Sequence, residues 1–380
     1  MSQLLRTRPA TTDAMLAIFD DAATLRHALA FEAALAAAEA AEGLLASEDA
    51  AAIADLCASI VLDPAALAAE AGHAGTLAIP LVARLRAALP RQATAVHKGT
   101  TSQDLADTVL SCQIRDAAAL LRSDVDALAA DLARLAERHA ATPALGRTLL
   151  QDARPIGFGL RIAHWHAGIR GAARRLEAEV ARHAVLQFGG AAGTREGLDG
   201  KGAAVAARLG RALGLADAPP WHARRDGMAG IAAAVAILIG ALGKMARDVS
   251  LLSQNAVEEA REPSIPGRGG SSAMAHKRNP TGCQIALAAG HRAPGLVAGV
   301  LFGLPAEGER GLGGWQAEGP VLAELFLLAA GSAAAMAEVA QGLAIDPVAI
   351  ARNLDAAGLG EDIGESAALV SQLLSDGGEG

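Results

Sequence analysis

Residues 107–140 read DTVLSCQIRDAAALLRSDVDALAADLARLAERHA, and their apolar members fall at Leu110, Ile114, Ala117, Leu121, Val125, Leu128, Leu132 and Leu135. Steps of three and four put all eight on one face of a helix, which at 1.5 Å per residue is about 50 Å long. Residues 226–259 repeat the pattern at Met228, Ile231, Val235, Leu238, Leu242, Met245, Val249 and Leu252, with Ile237, Ile239 and Leu251 off the main stripe. A helix apolar on more than one face must be surrounded by others. Three further helices are predicted at 155–183, 280–301 and 320–343, each opened by a proline near its first turn, with Pro294 as a kink in the second. Strand-like alternation is almost absent.

The expected fold is therefore all-α. A central bundle of five long helices spans 107–345, and residues 1–106 form a smaller N-terminal helical domain in which 24–42 is the clearest helix and Pro64, Pro80 and Pro90 break the rest. Residues 346–380 form a short C-terminal segment that opens on Pro347 and frays in DGGEG. Composition agrees: 52% of the residues are hydrophobic but 2% aromatic, with no tyrosine, so the core is built from Ala, Leu, Val and Ile, a mixture that favours close-packed helices. Long, narrow bundles leave apolar surface uncovered, and subunit association is expected.

With 33 basic and 41 acidic residues the net charge is −8. The arginines are interspersed with acids instead of forming a basic stripe, which argues against a nucleic-acid partner. Cys57, Cys112 and Cys283 are scattered singly, without zinc or disulfide spacing, and fit a reducing cytoplasm. No leader-like run opens the chain and no segment reaches membrane-spanning length without polar interruption, so no membrane partner is expected. His164 and His166 are two apart and cannot share a helix face as a metal pair.

Chemistry concentrates in 267–280, GRGGSSAMAHKRNP. Gly267, Gly269 and Gly270 let the backbone close around a ligand. Ser271 and Ser272 offer a nucleophile or base, and Lys277 and Asn279 can hold developing negative charge. The plain alternative is a solvated connector, yet a connector has no need of Met274 and Asn279 among the cations, nor of two long helices flanking it. A phosphate loop is disfavoured, since no Gly-Lys-[Ser/Thr] follows a strand. Two more polar clusters stand at ends of predicted long helices: 97–104, HKGTTSQD, and 146–153, GRTLLQDA. Capping explains one or two residues of the first, but not His97 and Gln103 together. The second is weak alone, because such residues are common where helices begin.

Taken together the three clusters resemble the conserved regions of the fumarase/aspartase superfamily. Residues 270–280 reproduce its signature loop, Gly-Ser-Ser-x-Met-Pro-x-Lys-x-Asn-Pro, except for Ala275 where proline is usual. Thr101-Ser102-Gln103-Asp104 and Gly146-Arg147-Thr148 are similar to the first and second regions, in the expected order. Within the superfamily, Phe31-Glu32-Ala33-Ala34-Leu35-Ala36, residues 188–194, Pro220-Trp221-His222 with Arg225-Asp226, and residues 312–318 resemble its lactonising branch, the carboxymuconate cycloisomerases of protocatechuate catabolism.

The resemblance implies an all-α homotetramer whose active sites each combine the three regions from three subunits, acting on a small polycarboxylate without metal or organic cofactor. It assigns Ser271 as the base, with Lys277 and Asn279 holding the reacting carboxylate and His97 as acid or substrate ligand. Thr101, Ser102, Gln103, Thr148, Gln151, Ser272 and Met274 line the substrate, with Arg225 and Arg310 as further carboxylate clamps. Leu149 stands where fumarases and amine-releasing members carry a catalytic histidine, and leucine cannot transfer a proton. An internal carboxylate is a far weaker base than an amine or hydroxide, which favours lactone chemistry. An adenylosuccinate lyase-like elimination, suggested by His97 and the Thr-Ser-Gln-Asp run, and a non-catalytic scaffold of the same superfamily are the alternatives.

Overall fold

The computed structural model describes residues 4–270, 274 and 277–375. Ser271 and Ser272, the expected base and its neighbour, lie outside the described residues, as does Ala275. Six helices come first: α1 (Leu4–Thr7), α2 (Asp13–Ile18), α3 (Asp21–Ala41), α4 (Ser47–Ser59), α5 (Pro64–Ala74) and α6 (Ala78–Ala88). The 37-residue α7 (Ser102–Arg138) leads into a hairpin of β1 (Pro143–Thr148) and β2 (Gln151–Gly157). Then follow α8 (Phe158–His183), α9 (Gly202–Leu213), α10 (Asp226–Leu252), the two-residue β3 (Ala260–Arg261), α11 (Thr281–Phe302), α12 (Gly314–Gln341), β4 (Ala344–Ile345), α13 (Pro347–Ala357) and α14 (Ser366–Ser375).

The five long helices form one bundle. α7 packs on α8 and α12, and α10 packs on α8, α11 and α12. The expected stripe of α7 is buried from Leu110 to Leu132, with Ala136 taking the last place and Leu135 only half-buried. All eight stripe residues of α10 are buried, and Ile239 with them, whereas Ile237 is exposed. Each fully buried Leu, Ile or Met contributes about 1.5–3 kcal/mol. Small residues such as Ala232, Ala246, Ala286, Ala329 and Ala333 fill the rest of this core. A second core joins α3, α4 and α6 to the start of α7 and to residues 186–215, through Phe31, Leu35, Leu81, Leu105, Phe188 and Leu209.

Several boundaries differ from expectation, each for a local reason. α7 begins at Ser102, not near Asp107, because Thr101 and Asp104 cap it from within the polar cluster. Residues 146–153 are a β-hairpin instead of a helix start, and Pro155 lies in β2, so α8 opens at Phe158. α12 starts at Gly314 with Pro320 inside it. That proline removes the donor for the Gln316 carbonyl, a loss tolerated where Gln316 is exposed to water. α10 ends at Leu252, and the C-terminal segment carries two helices, of which α14 packs on α8.

Contrary to the expectation from composition, α10, α11 and α12 are each long and apolar enough to cross a membrane. α10 and α12 bury 56% and 61% of that apolar window in the bundle, but α11 buries only 22%. Its uncovered end carries Leu301 and Phe302, the latter 87% exposed.

The hairpin is tied closely to the bundle. A Cβ on Gly159 would stand 2.1 Å from the Ala136 carbonyl oxygen, and one on Gly157 2.1 Å from that of Ala140. Only glycine lets the chain return across the end of α7 at this distance.

Candidate active site

Three polar clusters again organise the molecule, at the two ends of the bundle. The first surrounds the start of α7. Asp104, fully buried, accepts hydrogen bonds from Thr101 N (2.9 Å), Thr100 Oγ1 (3.0 Å), Gly189 N and Gly190 N (2.9 Å each), and its Oδ1 lies 2.7 Å from His222 Nε2. One carboxylate thus ties the helix start to two distant loops. One turn on, Asp107 pairs bidentately with Arg225 (2.8 and 2.9 Å), whose Nε also donates to both oxygens of Glu318 at 3.1 Å. The Arg225 guanidinium lies over the Trp221 ring, 4.6 Å from its centroid.

Arg225 was expected to clamp a substrate carboxylate. It is 2% exposed and its guanidinium is held between Asp107 and Glu318, so within this chain it serves first as the cation of a buried ion-pair cluster. Burial opposes its charge, but the two carboxylates outweigh burial and raise its pKa above the usual arginine value. Glu318 is pushed up by burial in spite of Arg225. Gln103 is likewise internal: its Nε2 donates to Asp107 (3.1 Å) and the His222 carbonyl (3.0 Å), and its Oε1 accepts from Arg310 Nε (3.3 Å). Two stretches of the lactonising-branch resemblance, 220–226 and 312–318, therefore meet each other inside the protein.

Other residues of this cluster are more open. Arg310 Nη1 donates to Thr101 Oγ1 (2.7 Å) and approaches the Ala191 carbonyl at 3.5 Å. Ser102 is half-buried at the head of α7. His97 sits in the left-handed region at φ 62 and places Nδ1 2.6 Å from Glu32 Oε1 of α3. Glu32, and Glu39 two turns further along the same face of α3, were not among the expected site residues, yet they are 1% and 0% exposed. Burial, aided by Glu32, raises the Glu39 pKa to about 7 against the pull of Lys98.

The second cluster is the hairpin. Thr148 pairs with Gln151 across a two-residue turn, and both are exposed. The turn is Leu149-Leu150, at φ 51 and 65 and 95% and 74% exposed. Hairpin turns of this hand want Asn and Gly, and a left-handed leucine costs about 1–2 kcal/mol. At its base Arg147 grips buried Glu259 (2.6 and 3.1 Å), a bond that raises the arginine's pKa, and Asn353 adds a donor at 2.9 Å. A cavity of about 970 Å³ lies beside the hairpin, lined by Arg147, Leu149, Arg161, His164 and Lys244 among others.

The third cluster is the glycine-rich loop. Asn279 N donates to the Gly269 carbonyl (2.8 Å) and Lys277 N to that of Met274 (3.1 Å), while Gly267 and Gly269 take positive φ. Lys277 and Met274 are exposed and Asn279 is half-buried. Glu262 caps α11 by accepting from Gly282 N (3.0 Å) and Cys283 N (2.7 Å), and Arg268 pairs with Glu338 near the end of α12.

Those contacts fix the relative placement. The first cluster holds the starts of α7, α10 and α12. The hairpin and the loop hold their far ends, through Arg147–Glu259, the β3–β4 pairing and Arg268–Glu338. Along α7, 37 residues put about 55 Å between the two ends. Thr101 and Arg310 are brought together; Thr148 and Gln151 are brought together; the two pairs are not.

Comparison with known proteins gives a lyase family whose model matches residues 7–295. A 3-carboxy-cis,cis-muconate cycloisomerase of Bradyrhizobium diazoefficiens is 44% identical over 90% of this chain and 77% of its own. A nitrosuccinate lyase of Streptomyces davaonensis is 40% identical over 94% of this chain and 78% of its own. The crystal structure of 3-carboxy-cis,cis-muconate lactonizing enzyme from Pseudomonas putida superposes with a TM-score of 0.87 at 37% identity, covering 98% of this chain and 87% of that one. With its bundle, its three polar regions and a model match over most of its length, the chain belongs to this lyase family, in the fumarase/aspartase superfamily.

Proposed function

We propose that the protein lactonises 3-carboxy-cis,cis-muconate to 4-carboxymuconolactone in protocatechuate catabolism. The observation that carries this reading is Leu149, at an exposed hairpin tip where amine-releasing relatives need a proton-transferring histidine. A substrate carboxylate oxygen adds to one carbon of a double bond, and the electron pair moves onto the neighbouring carbon and its carboxylate as an aci-carboxylate. Ser271 then delivers its hydroxyl proton to that carbon, and the alkoxide left behind, which is the base of the reverse reaction, regains a proton from water. In reverse, Ser271 takes the proton and the lactone C–O bond breaks, releasing an internal carboxylate too weakly basic to require an acid. Lys277 and Asn279 hold the charge that develops, which needs donors fixed in advance. Thr101, Ser102, Thr148, Gln151 and Arg310 grip the remaining carboxylates, with Ser272 and Met274 alongside.

This chemistry needs all three clusters at once, and in one chain they stand at opposite ends of the bundle. A site shared between antiparallel copies resolves that, and a homotetramer with a small polycarboxylate as its ligand is the assembly we propose. The exposed Phe302, Leu301 and Ile237 support it, since uncovered apolar side chains mark association surfaces. A cytoplasmic location accords with three unpaired, buried cysteines.

Purified protein should consume 3-carboxymuconate, followed by its ultraviolet absorbance, and leave adenylosuccinate untouched. Ser271→Ala should retain the fold and lose turnover by about 10²–10⁴-fold or more; a near-wild-type rate removes Ser271 as base. Mixing separately inactive Ser271→Ala and Thr148→Val tetramers under subunit exchange should restore part of the activity, and no recovery would argue for sites within single chains. The nitrosuccinate lyase relative favours one second reading, elimination of nitrite, another leaving group that needs no acid. Nitrosuccinate in the same assay decides between them.

A further inference from the structure

Behind the first cluster lies a polar arrangement that hydrophobic packing does not require. Glu32, 1% exposed, stands on α3 next to Phe31 and one turn before Leu35 of the second core, and among the described residues only one of its side-chain oxygens has a hydrogen-bond partner, the His97 ring. An incompletely paired buried carboxylate is costly. Its partner is costly too, because His97 holds a left-handed backbone that histidine adopts uncommonly. Lys98 does not compete for Glu32, as its Nζ donates to the Leu44 carbonyl at 2.8 Å. Among the described residues Nε2 of His97 has no hydrogen-bond partner, although the side chain is only 12% exposed. Two unfavourable features that meet at one hydrogen bond point to a function for that bond.

We propose that Glu32 is a positioning residue for a carboxylate subsite at this end of the bundle. By accepting the Nδ1–H of His97 it fixes the ring so that Nε2 faces a substrate carboxylate, beside Thr101 and Arg310. A carboxylate can only accept, so Nε2 must donate to it while Nδ1 donates to Glu32. The bound ring then carries a positive charge between two carboxylates, and Glu32 supplies the balancing charge from inside the protein. Its relation to His97 is that of the outer carboxylate that orients a metal-bound or catalytic histidine elsewhere. The assignment rests on the proposed reading of the site as one for polycarboxylates and adds the residue that orients its histidine.

Tricarballylate, an unreactive tricarboxylate, tests this independently of turnover. Calorimetric titration should show Glu32→Gln and His97→Asn each weakening its binding about tenfold, as for loss of one charge-assisted hydrogen bond. The double variant should be no worse than either single one. With 3-carboxymuconate the same variants should raise KM about tenfold and change kcat less than threefold. Wild-type affinity in folded Glu32→Gln, or additive losses in the double variant, overturns the proposal. Should Glu32→Gln fail to fold, nitrogen-15 spectra of the wild-type His97 ring decide: a proton on Nδ1 is expected, and a ring protonated on Nε2 alone overturns it. Tricarballylate binding without lactonisation would sink the proposed reaction while leaving Glu32 in place.

Discussion

The two ends of the bundle hold similar residue types in opposite conditions. Around the start of α7, Asp104, Asp107, Gln103, His222, Arg225 and Glu318 are all buried and bonded to one another. At the far end Thr148, Gln151, Lys277 and Met274 stand exposed, and the hairpin turn holds two leucines in a conformation they resist. The first end is a closed, mutually bonded framework; the second presents its described polar groups towards solvent. Polar residues that looked equally reactive by type are thus divided by burial, bonded inside at one end and exposed at the other.

Substitutions that exchange burial for exposure should break this contrast where it is strongest. Replacing Arg225 by Met leaves Asp107 and Glu318 buried without a cation, and unfolding in urea should show a loss of about 3–5 kcal/mol. Lys277→Met, at the exposed end, should stay within about 0.5 kcal/mol of wild type in the same measurement. Equal losses would erase the distinction.

Next in size is the effect of Glu39. Its carboxyl is pushed up from the ordinary 4.5 to about 7 in the folded protein by burial, against the pull of Lys98 and with a smaller push from Glu32. Between those values the folded state keeps a proton that the unfolded chain has released. Stability should therefore fall as pH rises from 4.5 to 7, by about 3 kcal/mol from this group, and stay level above. Glu39→Gln should remove that slope and raise the unfolding midpoint at pH 8, while leaving the midpoint at pH 4.5 nearly unchanged.

The smallest expected change sharpens the comparison. Leu149→Asn with Leu150→Gly gives the turn the residues its backbone prefers, and should stabilise the protein by about 1–2 kcal/mol. If the tip meets a neighbouring copy's site, the same variant loses turnover while gaining stability. A variant both more stable and fully active would free the leucines of that role.

Helices with a clear face were legible from spacing alone, and the five long ones stand where Leu110 to Leu132, Met228 to Leu252 and the proline-led stretches placed them, apart from their ends. The hairpin was not. Its strands contain Gly146 and Pro155, its turn is Leu-Leu instead of Asn-Gly, and a register shift between Leu145 and Arg147 breaks the alternation. The role of Arg225 was hidden because Asp107 and Glu318 lie 118 and 93 residues away along the chain. Glu32 and Glu39 could have been found: they fall on the same stripe of α3 as Ala28, Phe31 and Leu35, and a charge on a buried stripe demands an explanation. The alanine-rich background blurred that stripe, since alanine sits on either face of a helix without preference.

α7 also acts as a gauge. Because it separates the first cluster from the hairpin by its own length, any partner that aligns one end with its complement has the other end aligned as well. Inserting or deleting a single turn, about 5.4 Å, would leave each cluster locally intact and still put one pair of junctions out of step with the other. In the proposed assembly, the span of α7 would thereby be held constant by the geometry at both tips.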